Sequence, residues 1–301
     1  MTSDHTGGTC FGFQVESSLP LSYARGGTGE RLDVEIEDAS PEGDPGQLVR
    51  EWRIEGHEPF HASLYARDGT YRLSTQDSGW FEVDPAQPRI SLPANGNAVK
   101  REERLWGIPT LLCFVARGDA PIHAAAVDAG GGAILLAAPG RFGKTTLAAG
   151  FARRGSRLLS EDLCCVRTLA EPLVVPGPAM LRIRPDVAEA VEIPRAQTLE
   201  AGDERLHLAL DPENRGDCTP VAIRAVVFLR AGAPEVELRR SDPHDATRDL
   251  FALCFRLPGA TETERAFGAV AELAAGVPAW DLSYPLDLDE LDRVVEVVAR
   301  L

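Results

Sequence analysis

Lysine is almost missing from this chain. Of 301 residues only Lys100 and Lys144 are lysines, among 31 basic side chains set against 46 acidic ones. The formal net charge is −15. Binding to a nucleic-acid backbone draws on clustered Lys and Arg to release counterions, so this balance argues against a nucleic-acid partner. No run of about 18 apolar residues occurs, so no spanning helix and no membrane partner are expected. The segment Met1-Thr2-Ser3-Asp4-His5 has no basic stretch leading into an apolar one, so no secretory signal is read there. The six cysteines, Cys10, Cys113, Cys164, Cys165, Cys218 and Cys254, include no C-x-x-C pair. That pattern suits neither a zinc site nor a disulfide framework, and free thiols in a reducing cytoplasm are the expectation.

Hydrophobic residues make up 44% of the chain and charged residues 26%, a globular composition. The length predicts about two domains. Residues 1–103 read as a β-rich N-terminal domain. Phe11 to Ser17 and Arg31 to Ile36 alternate, Tyr71 to Ser74 and Trp80 to Val83 are short strand-like runs, and turn signals such as Asp68-Gly69 interrupt them. Trp52, Trp80 and Phe81 read as core rather than as a peptide groove. A buried linking helix is predicted from about Arg104, with Leu105, Ile108, Leu111, Leu112 and Val115 on one face.

Residues 104–301 form the second predicted domain. Ile122 to Val127 and Ala133 to Ala138 are apolar strands around a turn at Gly130-Gly131-Gly132. Thr145 to Arg154 reads as a helix stopped by Gly155. Arg157-Leu158-Leu159 is the next strand, and Ala222 to Arg230 another, with Glu235 to Arg239 as its hairpin partner. Helices are expected over Thr263 to Gly276 and Asp289 to Leu301.

Between the second strand and its helix lies Ala138-Pro139-Gly140-Arg141-Phe142-Gly143-Lys144-Thr145-Thr146. Strand, glycine loop and helix is the context in which backbone N–H groups wrap phosphates, Lys144 reaches the outer phosphates and Thr145 offers a hydroxyl to Mg²⁺. Ala138 stands where the usual pattern has glycine. Ser160-Glu161-Asp162 closes the following strand, and at the carboxyl end of a parallel strand these acids should face the same crevice. Carboxylates there can hold a metal ion or accept a hydroxyl proton. A hairpin centred between Gly130 and Gly131 brings His123 opposite Ala138, at the mouth of the loop.

His123-Ala124-Ala125-Ala126-Val127, the glycine loop and Arg157-Leu158-Leu159-Ser160-Glu161-Asp162 together resemble the catalytic core of HPr kinase/phosphorylase. More specifically, they resemble the HPr-kinase-like proteins of ribosomal (lasso) peptide pathways. Val277 to Pro285 is similar to the ending of that family. The resemblance implies an α/β fold, a P-loop kinase core of HPr-kinase type behind the β-rich N-terminal domain. It implies ATP and Mg²⁺ as cofactors, and it leaves room for a homo-oligomer. By resemblance His123 matches the active-site histidine, Glu161 the acid that takes the hydroxyl proton, and Asp162 the acid associated with the metal. The family's first acid is usually Asp, and the acid before its Ile-Arg-Gly segment is replaced by Arg182. Arg182 and Arg184 therefore either hold phosphate or an acidic substrate group or sit as surface arginines, and Arg256 is a third candidate.

The expectation is an ATP- and Mg²⁺-dependent kinase acting on a hydroxyl, foremost serine of a lasso-type precursor peptide. A small-molecule or free-serine kinase and a nucleotide-sensing interaction module with little catalysis remain open beside it.

Overall fold

A computed structural model describes residues 7–37, 43–54, 60–94, 96–193, 196–202, 204–210 and 216–301. Its contacts divide the chain into two compact units, Met1–Gly118 and Asp119–Leu301.

The first unit carries one eight-stranded sheet: β1 (Gly8–Cys10), β2 (Phe13–Ser17), β3 (Glu30–Ile36), β4 (Gln47–Ile54), β5 (Phe60–Arg67), β6 (Thr70–Thr75), β7 (Gly79–Asp84) and β8 (Arg89–Leu92). They pair in the order β1-β2-β3-β8-β7-β6-β5-β4. Alternation in the sequence becomes alternation in burial: Phe13, Val15 and Ser17 are buried while Gln14 and Glu16 are exposed. Phe81 is fully buried, and Trp52 and Trp80 are half-buried.

Two helices replace the single predicted one, α1 (Ala98–Leu105) and α2 (Ile108–Ala116). Pro109 explains the break. It has no N–H for a helical bond to Leu105, and its ring would strike that carbonyl in a continuous helix. The first helix starts earlier because the Asn97 side chain caps it, accepting from the Lys100 N–H at 3.0 Å. Both helices belong to the first unit, so the division falls at 118/119 rather than 103/104. Arg104 grips Asp77 at 2.7 Å, Arg101 donates to the Pro93 and Ala94 carbonyls, and Glu102 accepts from the N–H groups of Ser22 and Tyr23.

The second unit is mixed α/β. Its strands are β9 (Ala120–Ile122), β10 (Ala124–Asp128), β11 (Ala133–Ala137), β12 (Arg157–Ser160), β13 (Cys164–Arg167), β14 (Leu173–Val175), β15 (Met180–Ile183), β16 (Ala196–Ala201), β17 (Leu206–Leu210), β18 (Val221–Ala231), β19 (Glu237–Arg240) and β20 (Ala279–Tyr284). Its helices are α3 (Lys144–Arg153), α4 (Pro185–Val191), α5 (Pro243–Leu253), α6 (Ala260–Gly276) and α7 (Leu291–Ala299). Strands β15, β17 and β16 form a small separate sheet, and the others form a large one.

Strand β11 pairs parallel with β18, and β18 parallel with β20. Strand β10 runs antiparallel to both β11 and β12, so β12 is parallel to β11. The carboxyl ends of β12, β11, β18 and β20 therefore reach one edge of the sheet. The β19 hairpin is corrected: β19 pairs with β20, not with β18. A chain that leaves β18 and returns through α5 and α6 puts β20 in the neighbouring slot that a tight hairpin would have filled.

All of β11 is buried, as an apolar strand covered on both faces must be. Ile134 and Leu136 pack towards α3, α7 and the small sheet. Ala133, Leu135 and Ala137 pack towards α5 and α6.

Candidate functional site

The hairpin register places the histidine. Ala124 lies opposite Ala137 and Asp128 opposite Ala133, so His123 sits just beyond the carboxyl end of β11. Its N–H donates to the Leu253 carbonyl at 2.8 Å, which holds the backbone there. The loop after β11 passes through two left-handed residues, Arg141 (φ 69°) and Gly143 (φ 79°). Gly143 is the N-cap of α3. A left-handed non-glycine residue stores backbone strain and marks a constrained loop.

Lys144 is buried, and its Nζ donates to the Ala138 carbonyl (2.9 Å), the Pro139 carbonyl (3.0 Å) and His123 Nε2 (2.9 Å). An ammonium has three protons, and these three acceptors use them all. His123 Nε2 is then an acceptor, and the ring proton sits on Nδ1, which faces Asp162 Oδ1 at 3.5 Å. Asp162 Oδ1 also lies 3.9 Å from Lys144 Nζ.

The two adjacent acids have different surroundings. Glu161 is 2% exposed. One of its oxygens accepts from the Thr145 hydroxyl at 3.2 Å, and the other accepts from Arg182 Nε at 3.0 Å. Asp162 keeps 42% of its side chain exposed and faces His123, Lys144 and, at 3.7 Å, Arg182.

Charge and burial compete at each group. Burial pushes the Lys144 ammonium below its ordinary value, with Asp162 and Glu161 opposing. Burial also lowers His123; Asp162 opposes this and Lys144 adds to it. For Asp162 burial pulls upward, but His123, Arg182, Lys144 and Arg205 outweigh it and hold the carboxyl below its usual range.

Of the residues singled out from the sequence, His123, Lys144, Thr145, Glu161, Asp162 and Arg182 converge at this edge. Ala138 and Pro139 contribute carbonyls to Lys144, while Gly140, Arg141 and Phe142 line the exposed side of the loop. Thr146 follows on α3. Arg184 is not brought in; it pairs with Asp186 at 2.9 Å and is 64% exposed. Arg256 is spent on structure, stacking on the Phe251 ring and donating to the Phe251 and Cys254 carbonyls.

Two participants went unseen in the sequence. Arg205, whose Nη1 donates to the Arg182 carbonyl at 3.4 Å, adds to the positive field at Asp162. Tyr284, at the end of β20, donates its hydroxyl to the Phe142 carbonyl at 2.7 Å. Nothing local signals either, since Arg205 reaches the site from the connection before β17 and Tyr284 from the end of β20.

Among the described residues no cluster of three or more His, Cys, Asp or Glu forms a metal cage. Thr145 and Glu161 nevertheless present hard oxygen donors side by side. That suits Mg²⁺, which takes one or two protein carboxylates and fills its remaining positions with phosphate and water. All six cysteines are buried and none forms a disulfide. No helix among the described residues is long and apolar enough to cross a membrane.

No family model matches this sequence, and no curated protein matches it. Among solved structures the chain is similar to the HPr(Ser) kinase/phosphatase from Coxiella burnetii. The identity is 11%, the match covers 60% of this chain and 93% of that one, and the TM-score is 0.33.

Proposed function

We propose that the second unit is an ATP- and Mg²⁺-dependent kinase that transfers the γ-phosphoryl group to a hydroxyl. The observation that carries this is the convergence of Lys144, Thr145, two carboxylates and an imidazole at the mouth of a glycine loop that opens a helix. Phosphoryl transfer needs little covalent chemistry from a protein. It needs the phosphates held, their charge met, and a hydroxyl positioned.

Lys144 supplies the cation, exchanging the Ala138 and Pro139 carbonyls for phosphate oxygens. The loop N–H groups and the N-terminus of α3 add fixed positive potential. Thr145 and Glu161 would hold Mg²⁺, which when bound neutralises phosphate charge. Asp162 receives the acceptor's single proton on its carboxylate, and His123 orients that carboxylate through Nδ1–H.

This exchanges the roles that the resemblance gives to the two acids. Glu161 is buried and already engaged by Thr145 and Arg182, so it is poorly placed to meet an incoming hydroxyl. Asp162 is partly open. Behind it His123 presents Nδ1–H, and His123 Nε2 is released as an acceptor once Lys144 turns to phosphate. Arg182 bridges the two acids and fixes their spacing.

The acceptor is, on this proposal, serine of a ribosomally made, lasso-type precursor peptide, a reading supported by the sequence resemblance at 123–127, 138–146 and 157–162. A cytoplasmic setting agrees with six cysteines outside any disulfide.

The experiment incubates the full chain with Mg-ATP and either peptides encoded near its gene or free serine, and follows added phosphate by intact mass. Asp162→Asn should cut transfer by about 10²- to 10⁴-fold while retaining ATP binding. Lys144→Ala should lose both. Transfer at the wild-type rate in Asp162→Asn would return the base role to Glu161. Absence of ATP uptake by the wild type would end the kinase reading.

A further inference from the structure

The geometry points to a nucleobase platform formed by Phe142 and Leu286, on the side of the loop away from the acids. This rests on the reading of residues 138–146 as a phosphate cradle. Because β11, β18 and β20 are parallel, the loop after β11 and the segment after β20 emerge at the same sheet edge. They touch there. Tyr284 holds the Phe142 carbonyl, and a Cβ built on Gly143 would lie 3.8 Å from Leu286 Cδ2.

Apolar side chains that gather at the surface beside a polar site can mark a ligand-binding surface. In the second unit the exposed ones among the described residues are Phe142 (38%), Leu169, Phe267 and Leu286 (67%). Two of these four flank the one loop. In the sheet order β12, which leads into Glu161 and Asp162, lies on one side of β11, and β18 and β20 lie on the other; His123 and Arg182 meet the acids on the β12 side.

A triphosphate running through the loop has two ends of opposite chemistry. Its terminal phosphate must face the acids, where the acceptor arrives. Its nucleoside must then leave on the other flank, where Phe142 and Leu286 are. An aromatic ring and an isobutyl group offer faces for stacking and no directional hydrogen bonds. The platform therefore suits a purine base and discriminates weakly between adenine and guanine.

Equilibrium binding to the full chain tests this with two probes, Mg-ATP and Mg-tripolyphosphate, the second lacking base and sugar. Base stacking on an aromatic side chain is worth enough that Phe142→Ser should weaken ATP binding by about tenfold or more. Leu286→Ser should weaken it in the same direction. Leu286→Ser, which lies outside the loop, should hold tripolyphosphate as the wild type does, and Phe142→Ser should lose far less of its tripolyphosphate binding than of its ATP binding. ATP binding unchanged in both variants would overturn the platform. So would equal loss of both probes, which would make these side chains supports of the loop. Failure of the wild type to take up tripolyphosphate, or uptake that survives Lys144→Ala, would instead overturn the phosphate cradle itself.

Discussion

The hydroxyl of Tyr284 donates to the carbonyl of Phe142 across 142 residues of chain, at 2.7 Å. Burial pushes this phenol up to about 12, so it remains a donor at any physiological pH. Tyr284→Phe removes one hydrogen bond and leaves the ring in the core. ATP affinity should fall about two- to tenfold with the fold retained. Calorimetry on the variant checks this, and an unchanged Kd would show that the loop needs no anchor.

Gly143 is doubly constrained. Its φ is 79°, and an added Cβ would meet the Tyr284 Oη at 2.5 Å. Gly143→Ala should lower both thermal stability and nucleotide affinity. Adding Tyr284→Phe removes the oxygen in the way but not the left-handed backbone, which still costs about 1–2 kcal/mol. The double variant should therefore recover only part of the loss. A double variant no better than Gly143→Ala alone would show that the clash is not what limits the loop.

Arg182 neutralises the buried Glu161. Truncating one member of such a pair leaves the other charge stranded, and Arg182→Ala should cost on the order of 3 kcal/mol. Combining it with Glu161→Gln, which removes the stranded charge, should restore a large part of that. Denaturant unfolding of the two variants decides it; equal stability of the single and double variants would contradict the coupling.

In the first unit, acid should loosen the contact between Arg104 and Asp77. Burial pulls Asp77 upward, but Arg104 outweighs it and holds the carboxyl below its ordinary 3.8. The folded form thus binds its proton less readily than the unfolded chain. The pair's contribution is complete above pH 3.8 and fades as pH falls through the lower folded value. Arg104→Met removes the downward pull, so the acid limb of a stability–pH curve should flatten. An identical limb in wild type and variant would rule out this pair as its origin.

What could be read from sequence was whatever a short stretch of chain decides. The tight turn at 130–132 fixed the register of β10 on β11 and so the position of His123. The loop before α3 and the acids after β12 follow from strand, turn and helix alone. The pairing of β19 was misjudged because neighbouring strands most often form hairpins, and only the packing of α5 and α6 reveals that β20 takes the place beside β18. The break between α1 and α2 was legible in Pro109 but was masked by an apolar period that runs through it. Arg205 and Tyr284 lay beyond reach, since their contribution depends on strand order rather than on their neighbours in sequence. The inequality of Glu161 and Asp162 was likewise invisible, because two adjacent acids differ only once one of them turns inward.

The anchoring strand β20 also sets an order of events during synthesis. A ribosome that has made residues 138–146 has already produced every backbone amide of the loop, yet the phenol that steadies it has still to be translated. Until residue 284 clears the exit tunnel, a growing polypeptide carries the loop without its brace. Nascent chains stalled before that point should take up nucleotide more weakly than the released protein.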